Sequence, residues 1–166
     1  MKVFKEKQRF TQLWLLVLLG TSLIVPVTLT TKEYLKENTT MSTTEYIFIL
    51  LGIIFSIVFI FIFKLTTRID EYGIHYQFFP FHLSMKKITW SEINKAYVRN
   101  YEPISEYGGW GLKNLFWKKN GSAVNVSGDI GIQLELKNGK KLLIGTQKEQ
   151  EAKRVLETYQ LKTQHI

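Results

Sequence analysis

Two long uncharged apolar runs dominate the N-terminal third of the chain. They cover residues 10–31 and residues 46–63, and the second is 18 residues long. A helix rises about 1.5 Å per residue, so runs of this length cross the roughly 30 Å hydrocarbon core of a bilayer. We therefore expect a two-helix transmembrane hairpin over residues 10–63, with helices at about 10–30 and 46–63 and an external loop at 31–45.

The first run has one alternative interpretation, a cleavable signal peptide. A basic segment, residues 2–9, precedes the apolar core, as it does in signal peptides. The chain after Leu29 continues Thr30-Thr31-Lys32, which offers no small-x-small cleavage site. The pattern therefore favours a retained helix, and Pro26 is tolerated in lipid because neighbouring groups satisfy the freed backbone.

Residues 64–166 show a different pattern, in which short apolar runs alternate with turn signals. Closely spaced runs of this kind, broken by Gly, Pro, Asn or Asp, are typical of a β-rich domain. Segment 102–120 has no clear periodicity and is rich in glycine, aromatic residues and lysine. Before residue 130 we expect five strands, at about 65–69, 74–78, 83–88, 96–101 and 123–126.

The clearest local signal is a hairpin followed by a helix. Apolar and polar residues alternate over 132–136, and Asn138-Gly139 favours a two-residue turn, which would place Leu134 opposite Leu143. Thr146 and Glu149 match a capping box at the start of a terminal helix. One apolar stripe at helical spacing predicts the buried face of that helix, formed by Ala152, Val155, Leu156 and Tyr159.

Several short motifs of this region occur together in one known kind of domain. They are Trp90-Ser91-Glu92-Ile93, the Asn138-Gly139 turn, Leu143-Ile144-Gly145-Thr146, Arg99-Asn100-Tyr101-Glu102-Pro103 and Tyr107-Gly108-Gly109-Trp110-Gly111. Together with the two-helix layout, they make residues 66–160 similar to the bacterial pleckstrin-homology-like (PH-like) domains of small membrane proteins.

This resemblance implies a fold and a general kind of function. The fold would be a seven-stranded sandwich or barrel capped by a C-terminal helix, and the function would be to bind lipid headgroups, peptides or neighbouring subunits. The first turn, Asp70-Glu71-Tyr72-Gly73, is acidic and lacks the basic cluster that phosphoinositide-binding members carry there. We therefore expect a scaffold that does not recognise phosphoinositides.

Charge adds an orientation to this picture. The net charge is +3 over residues 1–10, −1 over 31–45 and +6 over 64–166, which makes up the +8 of the chain. Lys and Arg concentrate on the cytoplasmic side of membrane helices. We expect a two-pass protein of the plasma membrane with both termini cytoplasmic, namely a basic N-terminus at 1–9 and the PH-like domain at 64–166.

The sequence offers no set of catalytic or metal-binding residues. The chain has no cysteine, which excludes disulfides and thiolate chemistry. His75 and His82 have no third ligand at a useful spacing, and no nucleophile, phosphate-loop or dinucleotide motif is present. We predict no enzyme activity, cofactor or metal, and no nucleic acid partner, since the basic residues are scattered and the chain is anchored in a membrane.

Candidate contact residues follow from strand direction. If the strands after Phe63 alternate in direction, the 78–81 corner, the start of segment 102–120 and the turn at 137–141 all return to the membrane end. The alternative for segment 102–120 is that Trp110 and Trp117 cap the core. The predicted membrane or partner contacts are Phe78, Phe79, Phe81, Trp110, Lys113, Lys118, Lys119, Lys137, Lys140 and Lys141.

The sequence thus predicts a non-enzymatic membrane protein. Its cytoplasmic PH-like module would dock on anionic lipid headgroups of the inner leaflet or on another membrane protein. Two alternatives remain open: a structural subunit assembled through its helices, and an enzyme of the membrane interface. The oligomeric state does not follow from the sequence.

Overall fold

The computed structural model describes residues 3–113 and 121–163, with only the backbone for 160–163. The chain divides into two compact units, one formed by residues 10–63 and the other by residues 1–9 together with 64–166. The first unit is an apolar helical hairpin and the second an α+β domain. This confirms the coarse architecture predicted from the sequence.

The hairpin consists of α1, Leu13–Tyr34, and α2, Thr43–Ile60. Both helices are long and apolar enough, by length and composition, to cross a membrane. Their bounds differ from the predicted ones by three or four residues, because polar residues extend α1 to Tyr34 and start α2 at Thr43, whereas Phe10 and residues 61–63 lie outside the helices. Ser42 and Glu45 form a capping box that starts α2 ahead of its apolar run.

The two helices contact each other next to the connecting loop, and residues just outside the helices meet at the other end of the hairpin. At the loop, the rings of Tyr34 and Tyr46 stack with centroids 4.3 Å apart, and the Tyr34 and Thr43 hydroxyls are 3.1 Å apart. At the other end, Phe10 and Phe63 meet edge to face with centroids 6.4 Å apart. The helix surfaces between these contacts are largely exposed, as expected of helices that lipid covers.

The first sheet of the domain contains four antiparallel strands in the order β1-β2-β3-β4. Their bounds are Phe4–Arg9, Lys64–Asp70, Gly73–Phe79 and Lys86–Thr89. The sequence predicts a separate basic flank at residues 1–9, whereas in the structure Phe4–Arg9 of this segment form an edge strand of the sheet. Residues of β1 alternate between buried and exposed, which is the pattern of a strand with one face on a core.

The second sheet contains five strands in the order β5-β8-β9-β7-β6. These are Ile93–Asn100 (β5), Gly111–Lys113 (β6), Ser122–Asn125 (β7), Ile130–Leu136 (β8) and Lys141–Gly145 (β9). All pairs are antiparallel except β7 with β9, which is parallel. The described residues therefore form nine strands where seven were expected.

Helical elements complete the domain. A 3-10 turn, Trp90–Glu92, joins the two sheets, and a short helix, α3, covers Pro103–Tyr107. The terminal helix, α4, covers Glu149–Thr163. The predicted apolar stripe of this helix is confirmed, because all of its members are buried: Ala152, Val155, Leu156 and Tyr159.

The β8–β9 hairpin is present, but its register differs by one residue from the predicted one. Leu134 lies opposite Leu142, and the turn has three residues instead of two. Gly139, with a φ of 80°, is the left-handed residue that such three-residue turns require. Leu142, Leu143 and Ile144 are all buried, so β9 is covered on both faces.

The start of α4 is organised by β1 and not by the predicted capping box. The Thr146 hydroxyl donates to Glu6 Oε2 at 2.7 Å, and the Gln147 N–H donates to Glu6 Oε1 at 2.8 Å. Glu149 instead forms an ion pair with Lys153. The carboxylate that holds this turn therefore comes from a residue 140 positions away from Thr146.

Candidate functional site

The α+β domain has two ends, and each end carries a different group of residues. We call one the Arg9–Lys64 end, because these two residues pair there in the β1–β2 register and are the points at which the chain enters and leaves the apolar hairpin. The opposite end of the first sheet is marked by the β2–β3 turn, where Asp70 pairs with Gly73. Strand direction decides to which end each predicted contact residue belongs.

Hydrogen bonds between the sheets extend this division to the second sheet. The Gln8 side chain donates to the Gly145 carbonyl at 2.8 Å, which places the end of β9 near the Arg9–Lys64 end. The Trp90 indole donates to the Asp70 carbonyl at 2.9 Å, so the 3-10 turn lies at the opposite end. Lys137 N–H donates to the Glu92 carbonyl at 2.9 Å and brings the β8–β9 turn there too.

The loop between β3 and β4 lies at the Arg9–Lys64 end, since Phe79 pairs with Lys64 in the register. It presents large apolar side chains to solvent, with Phe81 63% exposed and Leu83 84% exposed. Lys86, the first residue of β4, follows this loop and is also exposed. An exposed apolar cluster beside basic residues is typical of a surface that contacts a membrane or another protein.

Internal hydrogen bonds hold this loop in one shape. The Gln77 amide donates to the carbonyls of His82 and Leu83 at 3.0 and 2.9 Å. The Phe78 N–H donates to His82 Nδ1 at 3.3 Å, and His82 N–H returns a bond to the Phe78 carbonyl. Burial and the nearby Lys86 lower the pKa of His82, which favours the neutral ring that can accept this bond.

Phe78 is a core residue and not the contact residue that the sequence indicated. Its side chain is only 2% exposed, and its ring stacks on that of Phe81 with centroids 6.0 Å apart. Strand alternation explains the difference, because Phe78 points inward next to Leu65 whereas Phe79 points outward next to Lys64. The buried Phe78 ring therefore forms the surface on which the ring of the exposed Phe81 packs.

The predicted lysine turn lies at the wrong end for the role it was given. Lys137, Lys140 and Lys141 are exposed, but they lie at the Asp70–Gly73 end and not with Phe79 and Phe81. The prediction placed this turn at the wrong end because it did not include β6, a strand within segment 102–120. One additional strand reverses the direction of the strands that follow it.

The described part of segment 102–120 is ordered and contributes to the core. Tyr107 of α3 is buried and forms a cluster with Tyr101, Ala123 and Leu143. Burial raises the pKa of Tyr101 to about 12, and Asn125 donates to its hydroxyl at 2.9 Å. The Trp110 indole donates to the Gly128 carbonyl, and Lys113 is half-buried, while Lys118 and Lys119 lie outside the described residues.

A second polar cluster surrounds Arg99, but its groups satisfy one another. Arg99 donates to both oxygens of Glu106 at 3.0 and 2.7 Å, and also to Gln133 and the Tyr107 hydroxyl. The hydrogen bonds from Arg99 hold the pKa of Glu106 below its usual value. This pair fastens α3 to β5 and β8, which indicates a structural role.

The first sheet carries a basic face that was not predicted from the sequence. We define the basic face as the exposed side of β1 and β2, which carries Lys5, Lys7, Arg9, Lys64 and Arg68. Two like-charged pairs stand directly opposite each other in the register, Arg9 with Lys64 and Lys5 with Arg68. The signal was the alternation of Lys5, Lys7 and Arg9 with Phe4, Glu6 and Gln8, which charge counting alone does not show.

Arg68 is the one member of the basic face with an acidic partner among the described residues. Its Nε lies 2.8 Å from Asp70 Oδ2, and His75 Nε2 lies 3.1 Å from Asp70 Oδ1. Burial favours the neutral form of Asp70, but the Tyr72 N–H, His75 and Arg68 outweigh it and hold the pKa of Asp70 below its ordinary value. The other four cations form no ion pair within the described ranges.

Metal chemistry finds no support in residues 3–113 and 121–163. No group of three His, Asp or Glu side chains there has the geometry to hold a metal ion. Comparison with known proteins adds no constraint, since the chain matches no protein-family model and no curated protein. The geometry offers two surfaces: the apolar loop at the Arg9–Lys64 end, and the basic face, which extends from that end along β1 and β2.

Proposed function

We propose that this protein is a non-enzymatic integral membrane protein whose cytoplasmic, PH-like domain docks on the inner leaflet through the β3–β4 loop. The observation that carries the proposal is the exposure of Phe81 and Leu83 at the end where the chain joins the hairpin. The hairpin keeps this end close to the bilayer, and the hydrogen bonds of the loop keep its apolar side chains outward.

The energetics favour contact of this loop with lipid. Burying a whole Phe or Leu side chain is worth about 1.5–3 kcal/mol, and a partly immersed side chain gains a fraction of that. A soluble domain tethered by two helices has already lost most of its translational freedom, so this modest gain suffices to orient it. Lys86, which follows the loop, adds attraction to an anionic surface.

The β1–β2 pair supports the proposed topology. β1 precedes α1 and β2 follows α2, and the two strands pair over their whole length. Two spanning helices therefore return the chain to the side from which it started, as paired strands require. The surplus of Lys and Arg around these strands favours the cytoplasmic side.

The absence of cysteine from the chain makes a direct test simple. Single-cysteine variants Phe81→Cys, Leu83→Cys and Lys140→Cys carry a nitroxide label in the full chain, reconstituted in zwitterionic bilayers. We expect labels at 81 and 83 to be more accessible to oxygen than to a water-soluble nickel complex. The label at 140, at the opposite end, serves as the matched control and should favour the nickel complex.

Two results would count against this proposal. Equally high accessibility to the nickel complex at positions 81, 83 and 140 would show that the loop stays in water. Protection of the three positions to the same extent would show that burial at 81 and 83 is not specific to the Arg9–Lys64 end.

The surface of α2 favours a second candidate function, a structural subunit that assembles through its helices. A shallow apolar groove there is lined by Phe48, Leu51, Gly52, Ile54, Phe55 and Val58. Lipid chains fill such a groove equally well, so the assembly function requires a stoichiometric protein partner. Crosslinking in native membranes followed by mass spectrometry would identify such a partner, and recovery of the chain alone would exclude this candidate.

A further inference from the structure

We propose that the basic face of β1 and β2 binds the headgroups of anionic phospholipids and so gives the docked domain a preference for anionic over zwitterionic lipid. This inference rests on the membrane location in the proposed function and names the lipid class that the domain selects. It uses different residues from the apolar loop, so the two surfaces can be tested separately.

The arrangement of charge within the first sheet favours a bound anion. Like charges directly opposite each other destabilise a pair of strands, and the basic face contains two such pairs, Arg9 with Lys64 and Lys5 with Arg68. The register places a single carboxylate, Asp70, on this side of β1 and β2, and Arg68 and His75 already contact it. A bound anion between the cationic pairs offsets a repulsion that the protein itself leaves in place.

Arg9 and Lys64 are close in sequence to the ends of the two apolar helices. Arg9 lies four residues before the start of α1 at Leu13, and Lys64 lies four residues after the end of α2 at Ile60. Four residues span at most about 14 Å even when fully extended. The phosphate layer at the helix ends is therefore within reach of the Arg9–Lys64 pair, and an anionic leaflet attracts each basic side chain there by about 1 kcal/mol.

The distance of each cation from the Arg9–Lys64 end distinguishes a headgroup layer from a protein ligand. The cations form three successive rows, Arg9 with Lys64, then Lys7, then Lys5 with Arg68, and rows two residues apart are separated by about 7 Å. Screening acts over about 8 Å at physiological ionic strength. A headgroup layer at the Arg9–Lys64 end therefore predicts a contribution that decreases from the first row to the third, whereas an acidic protein segment lying along the strands predicts equal contributions.

The test uses the full chain reconstituted in phosphatidylcholine bilayers that contain trace spin-labelled phosphatidylglycerol or spin-labelled phosphatidylcholine. The fraction of each probe that the protein immobilises gives its lipid preference. Arg9→Gln combined with Lys64→Gln should lower the preference for phosphatidylglycerol by up to about fivefold per side chain, the ratio equivalent to about 1 kcal/mol. Lys5→Gln should lower it less, and raised salt should weaken the wild-type preference.

The matched control is Lys140→Gln combined with Lys141→Gln, which removes the same charge from the opposite end and should leave the preference unchanged. Thermal unfolding in detergent checks the fold. The Arg9 and Lys64 variants should unfold at the wild-type temperature or slightly above it, because neutralisation relieves a like-charge pair.

Three outcomes would overturn the inference. The first is an unchanged lipid preference in the Arg9 and Lys64 double variant. The second is an equal loss in the Lys140 and Lys141 control, which would reduce the effect to net charge. The third is an equal loss for Lys5→Gln and Arg9→Gln, which is the pattern of an occupant that lies along the strands and not of a headgroup layer at the Arg9–Lys64 end. Water-exposed labels at positions 81 and 83 would instead contradict only the proposed docking loop.

Discussion

The two basic clusters of the domain are similar in sequence but differ in how each sheet treats its charges. At the β8–β9 turn, Glu135 lies opposite Lys141 on one side and Lys95 on the other, so neighbouring strands supply complementary charge. On the basic face, cations oppose cations and four of five form no ion pair within the part of the chain that the structure describes. A sheet that neutralises its own charges needs no ligand, whereas one that does not has charge available for an external anion.

This difference shows why lysine-rich sequence alone is a poor guide to a binding surface. The run Lys137-Asn138-Gly139-Lys140-Lys141 is the most conspicuous basic segment of the domain, yet its charge is partly neutralised and it lies at the Asp70–Gly73 end of the domain. Residues Lys5, Lys7 and Arg9 alternate with buried side chains, and only the strand pairing brings them together with Lys64.

The largest expected effect tests how the Arg9–Lys64 end is built. Phe78→Ala should lower the free energy of unfolding by about 3–5 kcal/mol, because it removes a buried ring from the core. Phe81→Ala should change it by no more than about 0.5 kcal/mol, because Phe81 is exposed. Denaturant unfolding in detergent, followed by circular dichroism, measures both. A similar loss in the two variants would show that the loop is part of the core.

The next effect concerns β1, the strand that carries three of the five cations of the basic face. Glu6→Ala should lower the free energy of unfolding by about 1.5–3 kcal/mol, because the Thr146 hydroxyl and the Gln147 N–H lose a charged acceptor. Glu6→Gln keeps one acceptor and should lose less. Hydrogen exchange of β1 amides, measured by mass spectrometry, should rise in the alanine variant, and unchanged protection would show that other contacts hold β1.

A smaller effect, of opposite sign at the two clusters, tests the comparison itself. Arg9→Glu places a carboxylate opposite Lys64 and should raise the free energy of unfolding by about 0.2–1 kcal/mol. Lys141→Glu places a carboxylate opposite Glu135 and should lower it by a similar amount. Denaturation at low salt measures both, and the two shifts should diminish as salt is added. Shifts of the same sign would contradict the charge arrangement.

The smallest expected effect is the pH dependence of stability that arises from Asp70, the acidic partner of Arg68. The pKa of folded Asp70 lies below its ordinary value of 3.8, so ionised Asp70 stabilises the fold above that pH. The contribution is lost as pH falls from 3.8 through the lowered pKa of the folded state. Asp70→Asn should remove this part of the acid sensitivity in a pH series of thermal unfolding. A variant with the same acid sensitivity as the wild type would show that other carboxylates cause it.

The sequence revealed much of the fold because many elements have strong local patterns. The two apolar runs, the β2 and β3 strands, the β8–β9 hairpin and the α4 stripe were all visible as periodicity. Their bounds were less accurate, because capping residues such as Ser42 extend a helix beyond its apolar run.

The missed elements are short or depend on distant partners. β6, Gly111–Lys113, has only three residues, too few for a periodic signal, and its omission reversed the direction assigned to the later strands. β1 looked like a basic flank because its partner, β2, lies beyond the whole hairpin in sequence. Phe79 lies at the Arg9–Lys64 end, as expected, whereas Lys137, Lys140 and Lys141 lie at the opposite end because of β6. The contact role of all these residues stays a prediction.

The pairing of β1 with β2 also determines when and how this domain can form. Residues 4–9 leave the ribosome before their partner strand, residues 64–70, which follows only after both apolar helices have been synthesised. A fragment that starts at Lys64 would expose the edge of β2 and lose Glu6 from the turn before α4. Such an open edge promotes association between chains. Expression of the domain without the hairpin therefore requires β1 to be joined to β2 by a short turn.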